Sequence, residues 1–192
     1  MKETWQGIAQ TALVRLYQVG ISVICLTLTA RWLGAEGRGI IAVTTGWVSF
    51  FYLLSFFSLG QVAVREAVNK KPSEWLPEVL PSLLVFAIFA TLASWVAAAA
   101  IFFYWRTRIF QAIPPLALLI GFFMLPFQII GQYVSTLLFA LDRVHVVNRS
   151  VVLAQTAFLL LIVLLCLLQS DASLVLTAYV ALEALIAALP FQ

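Results

Sequence analysis

Six side chains with chemistry to offer, Thr11, Arg15, Gln18, Ser22, Cys25 and Thr29, recur at intervals of four, three, four, three and four in an otherwise apolar stretch. That period is the turn of an α-helix, so all six share one stripe, while Leu13, Val19, Ile24 and Leu28 take the opposite face. A planar guanidinium on such a stripe can grip a diphosphate or another anionic head with paired hydrogen bonds. The amides and hydroxyls around it are the partners a sugar needs. A similar, weaker stripe runs through Gln128, Gln132, Ser135 and Asp142, and a third set is Thr45, Ser49 and Tyr52. Glu183 stands alone in a late apolar run, about 13 Å from its start at Leu174. An ionisable group at that depth is costly and points to function, here a protonatable coupling site.

Each of these has a plainer alternative. Hydroxyls and amides also tie helices together, Arg15 could reach a membrane surface by snorkelling, and Glu183 could be a paired or protonated structural carboxyl. Catalysis has little to stand on. The chain has one histidine, His145, and no Cys/His/Asp/Glu grouping at ligand spacing, so neither a metal site nor a cofactor is expected. It has no Walker-type phosphate loop.

The elements that must position these residues follow from composition. The 192 residues are 64% hydrophobic and 10% charged, and the mean hydropathy is +1.06. Those values lie far outside the range of soluble domains, and the chain reads as an all-α integral membrane protein. The net charge of +3 comes from basic residues scattered between apolar runs. That pattern excludes a nucleic-acid patch and fits loops held against anionic lipid. The first apolar run is too long for a cleavable signal peptide and no small-residue cleavage site follows it. Cys25 and Cys166 both fall inside apolar runs, where they read as small hydrophobes.

A bilayer core of about 30 Å takes roughly 20 apolar residues per helix. On that rule the spacing predicts six spans, at 8–30, 40–60, 81–104, 113–141, 150–168 and 174–189, forming a single lobe over residues 1–192. Most connections are short, so successive helices run antiparallel. The first connection, Ala30-Arg31-Trp32-Leu33-Gly34-Ala35-Glu36-Gly37-Arg38-Gly39, reads as a tight outer turn that shapes the hairpin without carrying chemistry. The longer segment 61–80 reads as an extension of the second helix to Val68, a turn at Asn69 and Pro72, and a new start capped by Ser73. Pro126 predicts a kink in the fourth span, either static and filled by a neighbouring helix or hinged. Pro114 and Pro115 read as first-turn prolines.

With the N-terminus inside, the inner face carries Lys2, Arg65, Lys70, Lys71, Arg143 and Arg149, and the outer face Arg31, Arg38, Arg106 and Arg108. This excess favours a cytoplasmic N-terminus. Trp5 and Trp75 would sit at the inner interface, Trp32 and Trp105 at the outer. Arg31 lies about 24 Å along the axis from Arg15, which places Arg15 about a turn inside the inner boundary.

The Ala30–Gly39 segment resembles the first outer hairpin of bacterial polysaccharide and O-antigen flippases of the multidrug/oligosaccharidyl-lipid/polysaccharide exporter superfamily. The pattern there is an arginine, a Leu-Gly pair, an acidic residue and a closing glycine. Leu59-Gly60-Gln61-Val62-Ala63-Val64-Arg65-Glu66-Ala67 resembles that family's ending of the second helix. The resemblance implies a bacterial inner-membrane protein that moves an undecaprenyl-diphosphate-linked oligosaccharide outward by alternating access between two lobes. It also implies that Arg15 and Arg65 contact the lipid diphosphate. Members of the family have roughly twice as many spans, so the chain looks like the N-terminal lobe, as a fragment, a truncated frame or a half-transporter that needs a partner. The site residues expected on these grounds are Arg15, Gln18, Ser22, Ser49, Arg65, Gln128 and Gln132 for substrate and Glu183 for ion coupling. Two other functions remain open: a drug or metabolite antiporter of the same superfamily, and a non-transporting scaffold for a polysaccharide synthase.

Overall fold

The first helix, α1 (Lys2–Ser55), holds 54 residues and would run about 81 Å if straight. It does not run straight. At Gly34 the backbone leaves the helix, with φ 67° and ψ −171°. That conformation is essentially closed to side chains with a Cβ, and it divides α1 into two limbs. The ten-residue outer turn is therefore reduced to one residue. Ala35, Glu36 and Arg38 are sound helix formers, so the helix resumes as soon as the bend is made.

The computed structural model describes residues 2–55, 61, 64–65, 71–110 and 113–191. Among these the chain continues with α2 (Pro72–Ile109), α3 (Pro115–Phe122), α4 (Met124–Ala140), α5 (Val144–Leu167), α6 (Ala172–Ala188) and a final 3-10 turn, Leu189–Phe191. Much of the predicted 61–80 connection, including its turn at Asn69, and the Leu59-Gly60 part of the family resemblance lie outside the described residues. So does the side chain of Trp5.

Among the described residues four helical stretches are long and apolar enough to cross a membrane: Ala9–Ser55, Pro72–Arg106, Pro115–Ala140 and Val144–Leu167, with Ala172–Ala188 as a shorter apolar helix. The count of six separate spans is not matched in full: two helices meet at the Gly34 kink within α1, and α6 is a shorter apolar helix. The apolar stretch of 47 residues in α1 still has the length of two crossings. The outward side chains are apolar: Val85, Phe89 and Val96 on α2 and Leu160 on α5 are each about two-thirds exposed. Such a surface suits lipid and not water, and the chain is a multi-pass helical membrane protein by this criterion.

Local chemistry explains where the helices start and stop. Lys71 precedes a proline, which holds it extended at φ −70°, ψ 149°, and Pro72 opens α2 at a position where its missing donor costs nothing. Ser73 is thus inside the helix and caps nothing. Pro77 and Pro81 also lie within α2, which runs unbroken from the expected interfacial segment into the expected span. Similarly, α5 begins at Val144, so His145 and Arg149 are helical and not in a loop. α4 and α5 end alike. Asp142 (φ 58°) and Gln169 (φ 49°) adopt left-handed conformations, and the amides after them close back on the last turn through Arg143 N to Leu138 O at 2.8 Å and Ser170 N to Leu165 O at 3.1 Å. Both are Schellman endings made without glycine.

The kink expected at Pro126 is present and displaced. α3 and α4 meet at Phe123, three residues earlier, because a proline removes the donor owed to the carbonyl four residues before it. That carbonyl belongs to Phe122, and the indole nitrogen of Trp95 on α2 donates to it at 3.0 Å. A neighbouring helix thus supplies the missing bond, as a static kink requires.

Two apolar clusters hold the helices together. One joins Ile21, Cys25 and Ile41 of α1 to Ile162 of α5 and Val175 and Leu176 of α6. The other joins Val48 and Phe51 of α1 to Trp75 of α2 and Leu125 and Ile129 of α4. Trp75, expected at the membrane interface, is instead almost completely buried at 1% exposure. α6 packs against α1, α3, α4 and α5, whereas α2 packs against α1 and α4 and is held off α3. At the approach of α3 to α1, Gly121 leaves no room for a methyl group beside Thr44.

Candidate functional site

The polar stripe of the first limb of α1 borders a cavity. Arg15, Gln18, Ser22 and Cys25 line a cavity of about 610 Å³ together with Arg38 from the second limb, Gln155 and Phe158 from α5, and Tyr179 and Glu183 from α6. The helical period that puts Arg15, Gln18, Ser22 and Cys25 on one face aims them at α5 and α6. Polar pins fix that alignment. Asn148 of α5 donates to Thr11 Oγ1 at 3.2 Å, and the hydroxyls of Tyr17 and Thr156 lie 2.7 Å apart. The expected lipid face is exposed at Leu13 and Ile24, while Val19 also lines the cavity and Leu28 packs against the core.

Within the cavity the Arg15 guanidinium donates from Nη1 to Gln18 Oε1 at 3.1 Å, one turn away on the same helix. Arg38 stands beside the Tyr179 hydroxyl, and the Tyr179 ring is set by Phe158, whose centroid is 4.7 Å away. The Nη1 atom of Arg38 is buried and hydrogen-bonds to no described residue. A buried cationic donor without an acceptor is costly in a membrane interior. An anionic oxygen entering the cavity would supply that acceptor. On α6, Glu183 Oε1 accepts from Gln128 Nε2 of α4 at 3.2 Å, which holds the carboxylate at the cavity wall.

The structure therefore brings together Arg15, Gln18, Ser22 and Glu183, with Gln128 behind Glu183. Ser49, Arg65 and Gln132 are not among the lining residues. Ser49 and Arg65 are exposed, and Gln132 is half-buried on α4. Thr45 of the third polar set, and Thr29 at the end of the stripe, donate to carbonyls one turn back, Ile41 O at 2.8 Å and Cys25 O at 2.7 Å. Their hydroxyls serve their own helix. Both thiols, Cys25 and Cys166, are free. Among the described residues no three His, Cys, Asp or Glu side chains gather as for a metal ion.

Three polar lining residues lie outside the predicted polar sets. Arg38 belongs to the predicted outer turn, and no predicted set includes Gln155 or Tyr179. Usable signals existed: Asn148 and Gln155 are seven residues apart, two turns along one face, and Tyr179 and Glu183 are four apart.

Fold and cavity together make this a bundle of apolar, membrane-suited helices with a partly apolar, arginine-bearing cavity between them. No family model, curated protein or solved structure matches the chain.

Proposed function

We propose that this chain is a lobe of a membrane transporter whose cavity receives the anionic, sugar-bearing head of a lipid carrier. Undecaprenyl-diphosphate-linked oligosaccharide, moved outward across a bacterial inner membrane, is the substrate implied by the family resemblance. In this reading the N-terminus is cytoplasmic and the two limbs of α1 are separate crossings. The single observation that carries the reading is the meeting of Arg15 and Arg38 in one cavity, where Arg38 has Tyr179 beside it and its buried Nη1 meets no acceptor among the described residues. Two guanidinium forks suit the two phosphates of a diphosphate. Gln18, Ser22, Gln155 and Tyr179 offer donors and acceptors for sugar hydroxyls. A volume of about 610 Å³ accommodates a head of that kind and leaves the lipid chain outside.

Glu183 is the coupling candidate. It shares the cavity with both arginines, so a proton or cation bound there would change the field an anionic substrate meets. A cationic drug would favour the carboxylate, but two arginines against one carboxylate weigh toward an anion.

The test is translocation of lipid-linked oligosaccharide in vesicles carrying the protein, with its Arg15→Ala and Arg38→Ala forms alongside. A loss of about tenfold or more is expected for each, given the worth of a hydrogen bond to a charged group. Undiminished flux in both variants would remove the cavity from the mechanism.

A further inference from the structure

A second recess opens on the outer face of the bundle where α2 is held off α3. It has a volume of about 480 Å³. Its walls are Trp95, Phe102 and Phe103 of α2, Leu119 and Phe122 of α3, and Phe123 at the kink. Trp95 ties the two walls together through its bond to the Phe122 carbonyl, and its ring lies 6.0 Å from that of Phe123. Phe103, Leu119 and Phe123 are more than half exposed, so the recess is a groove open to the membrane. At its end the Arg106 guanidinium lies 5.4 Å over the Phe102 ring. The chain carries no Asp or Glu between Glu78 and Asp142, a stretch that covers most of α2 and all of α3 and α4.

We infer that the α2–α3 groove is a binding site for an anionic phospholipid, with one acyl chain against the aromatic walls and the headgroup phosphate on Arg106. An acyl chain makes dispersion contacts along rings that would otherwise border a gap. The guanidinium at the groove end meets the chain's own phosphate at the depth where hydrocarbon gives way to headgroup. Selectivity for anionic over zwitterionic lipid follows from the excess of positive charge. This site is separate from the polar cavity and does not depend on what that cavity carries.

Brominated acyl chains quench tryptophan on contact, and Trp95 is in the groove wall. The protein is reconstituted in phosphatidylcholine vesicles containing brominated phosphatidylglycerol or brominated phosphatidylcholine at equal mole fraction. The Trp95 signal is the difference between the chain and its Trp95→Phe form. The phosphatidylglycerol probe should occupy the groove about fivefold more readily, the worth of one basic side chain at the membrane surface. Arg106→Gln, at an exposed position that leaves folding intact, should make the two probes equal. Ala99→Leu, which narrows the groove from its exposed side, should weaken quenching by both. Equal quenching in the unaltered chain, or a preference that survives Arg106→Gln, would overturn the inference. So would displacement of the brominated lipid by substoichiometric undecaprenyl phosphate, which would give the groove to an isoprenoid chain instead.

Discussion

The two recesses use the same cation for different purposes. In the cavity among α1, α5 and α6, Arg15 and Arg38 stand with amides, a phenol and a carboxylate, Arg38 half-buried and Arg15 exposed. In the α2–α3 groove, Arg106 stands at the rim of aromatic walls that face lipid. A guanidinium nitrogen buried as Arg38 Nη1 is must be satisfied by what enters the cavity. An arginine at a helix end can reach the headgroups by itself. Depth and neighbours, more than residue type, separate a substrate contact from a lipid contact.

That contrast can be broken at several points, most sharply in the cavity. Arg38→Gln should weaken binding of undecaprenyl diphosphate, measured by titration in detergent, by about tenfold to a hundredfold. Arg106→Gln in the same assay should leave it unchanged; an equal loss from both would erase the distinction. Next comes the bend that brings Arg38 to the first limb. Gly34→Ala forces a Cβ into a glycine-only conformation and should cost about 1–3 kcal/mol in a reversible unfolding titration, with the diphosphate affinity falling in parallel. If stability and affinity were both untouched, the Gly34 geometry would not be what assembles the cavity.

On the groove side, Trp95→Phe removes the donor to the Phe122 carbonyl and should destabilise the protein by about 1 kcal/mol. Pro126→Ala supplies a backbone donor to that same carbonyl. In a double-mutant cycle the loss of Trp95 should therefore matter less in the Pro126→Ala background, and strict additivity would disconnect the indole from the kink. The smallest effect is expected at Ser49, exposed and outside both recesses. Ser49→Ala should change stability and diphosphate binding by no more than about 0.5 kcal/mol, and a larger change in binding would extend the site along the second limb.

How much of this was legible in the sequence varies with the range of the interaction. The stripe from Thr11 to Thr29 could be read because one helix repeats it every turn, and its interior face followed from the cost of polar groups in lipid. Glu183 was readable for the same reason, but its partner Gln128 was not, since only the packing of α4 on α6 brings them together. Arg38 was misplaced because a glycine-rich, polar segment reads as a loop, whereas one glycine was enough to turn the chain and the helix formers after it continued. Pro126 announced a kink, and its effect fell four residues upstream, where the unpaired carbonyl is. That Trp95 would satisfy that carbonyl is long-range information no local pattern contains. Trp75 shows the same limit, a tryptophan suited to an interface by type and buried by its neighbours.

A cavity that admits water and binds phosphate would report both through a thiol placed in its wall. Ser22 lines the cavity and is exposed. With Cys25 and Cys166 replaced by alanine, Ser22→Cys should react with a water-soluble, membrane-impermeant thiol reagent. Undecaprenyl diphosphate should protect it, and the protection should vanish when Arg38→Gln is added. No reaction at Ser22→Cys would mean that protein fills the cavity, as a scaffold requires. A reaction indifferent to the diphosphate would contradict the proposed substrate site.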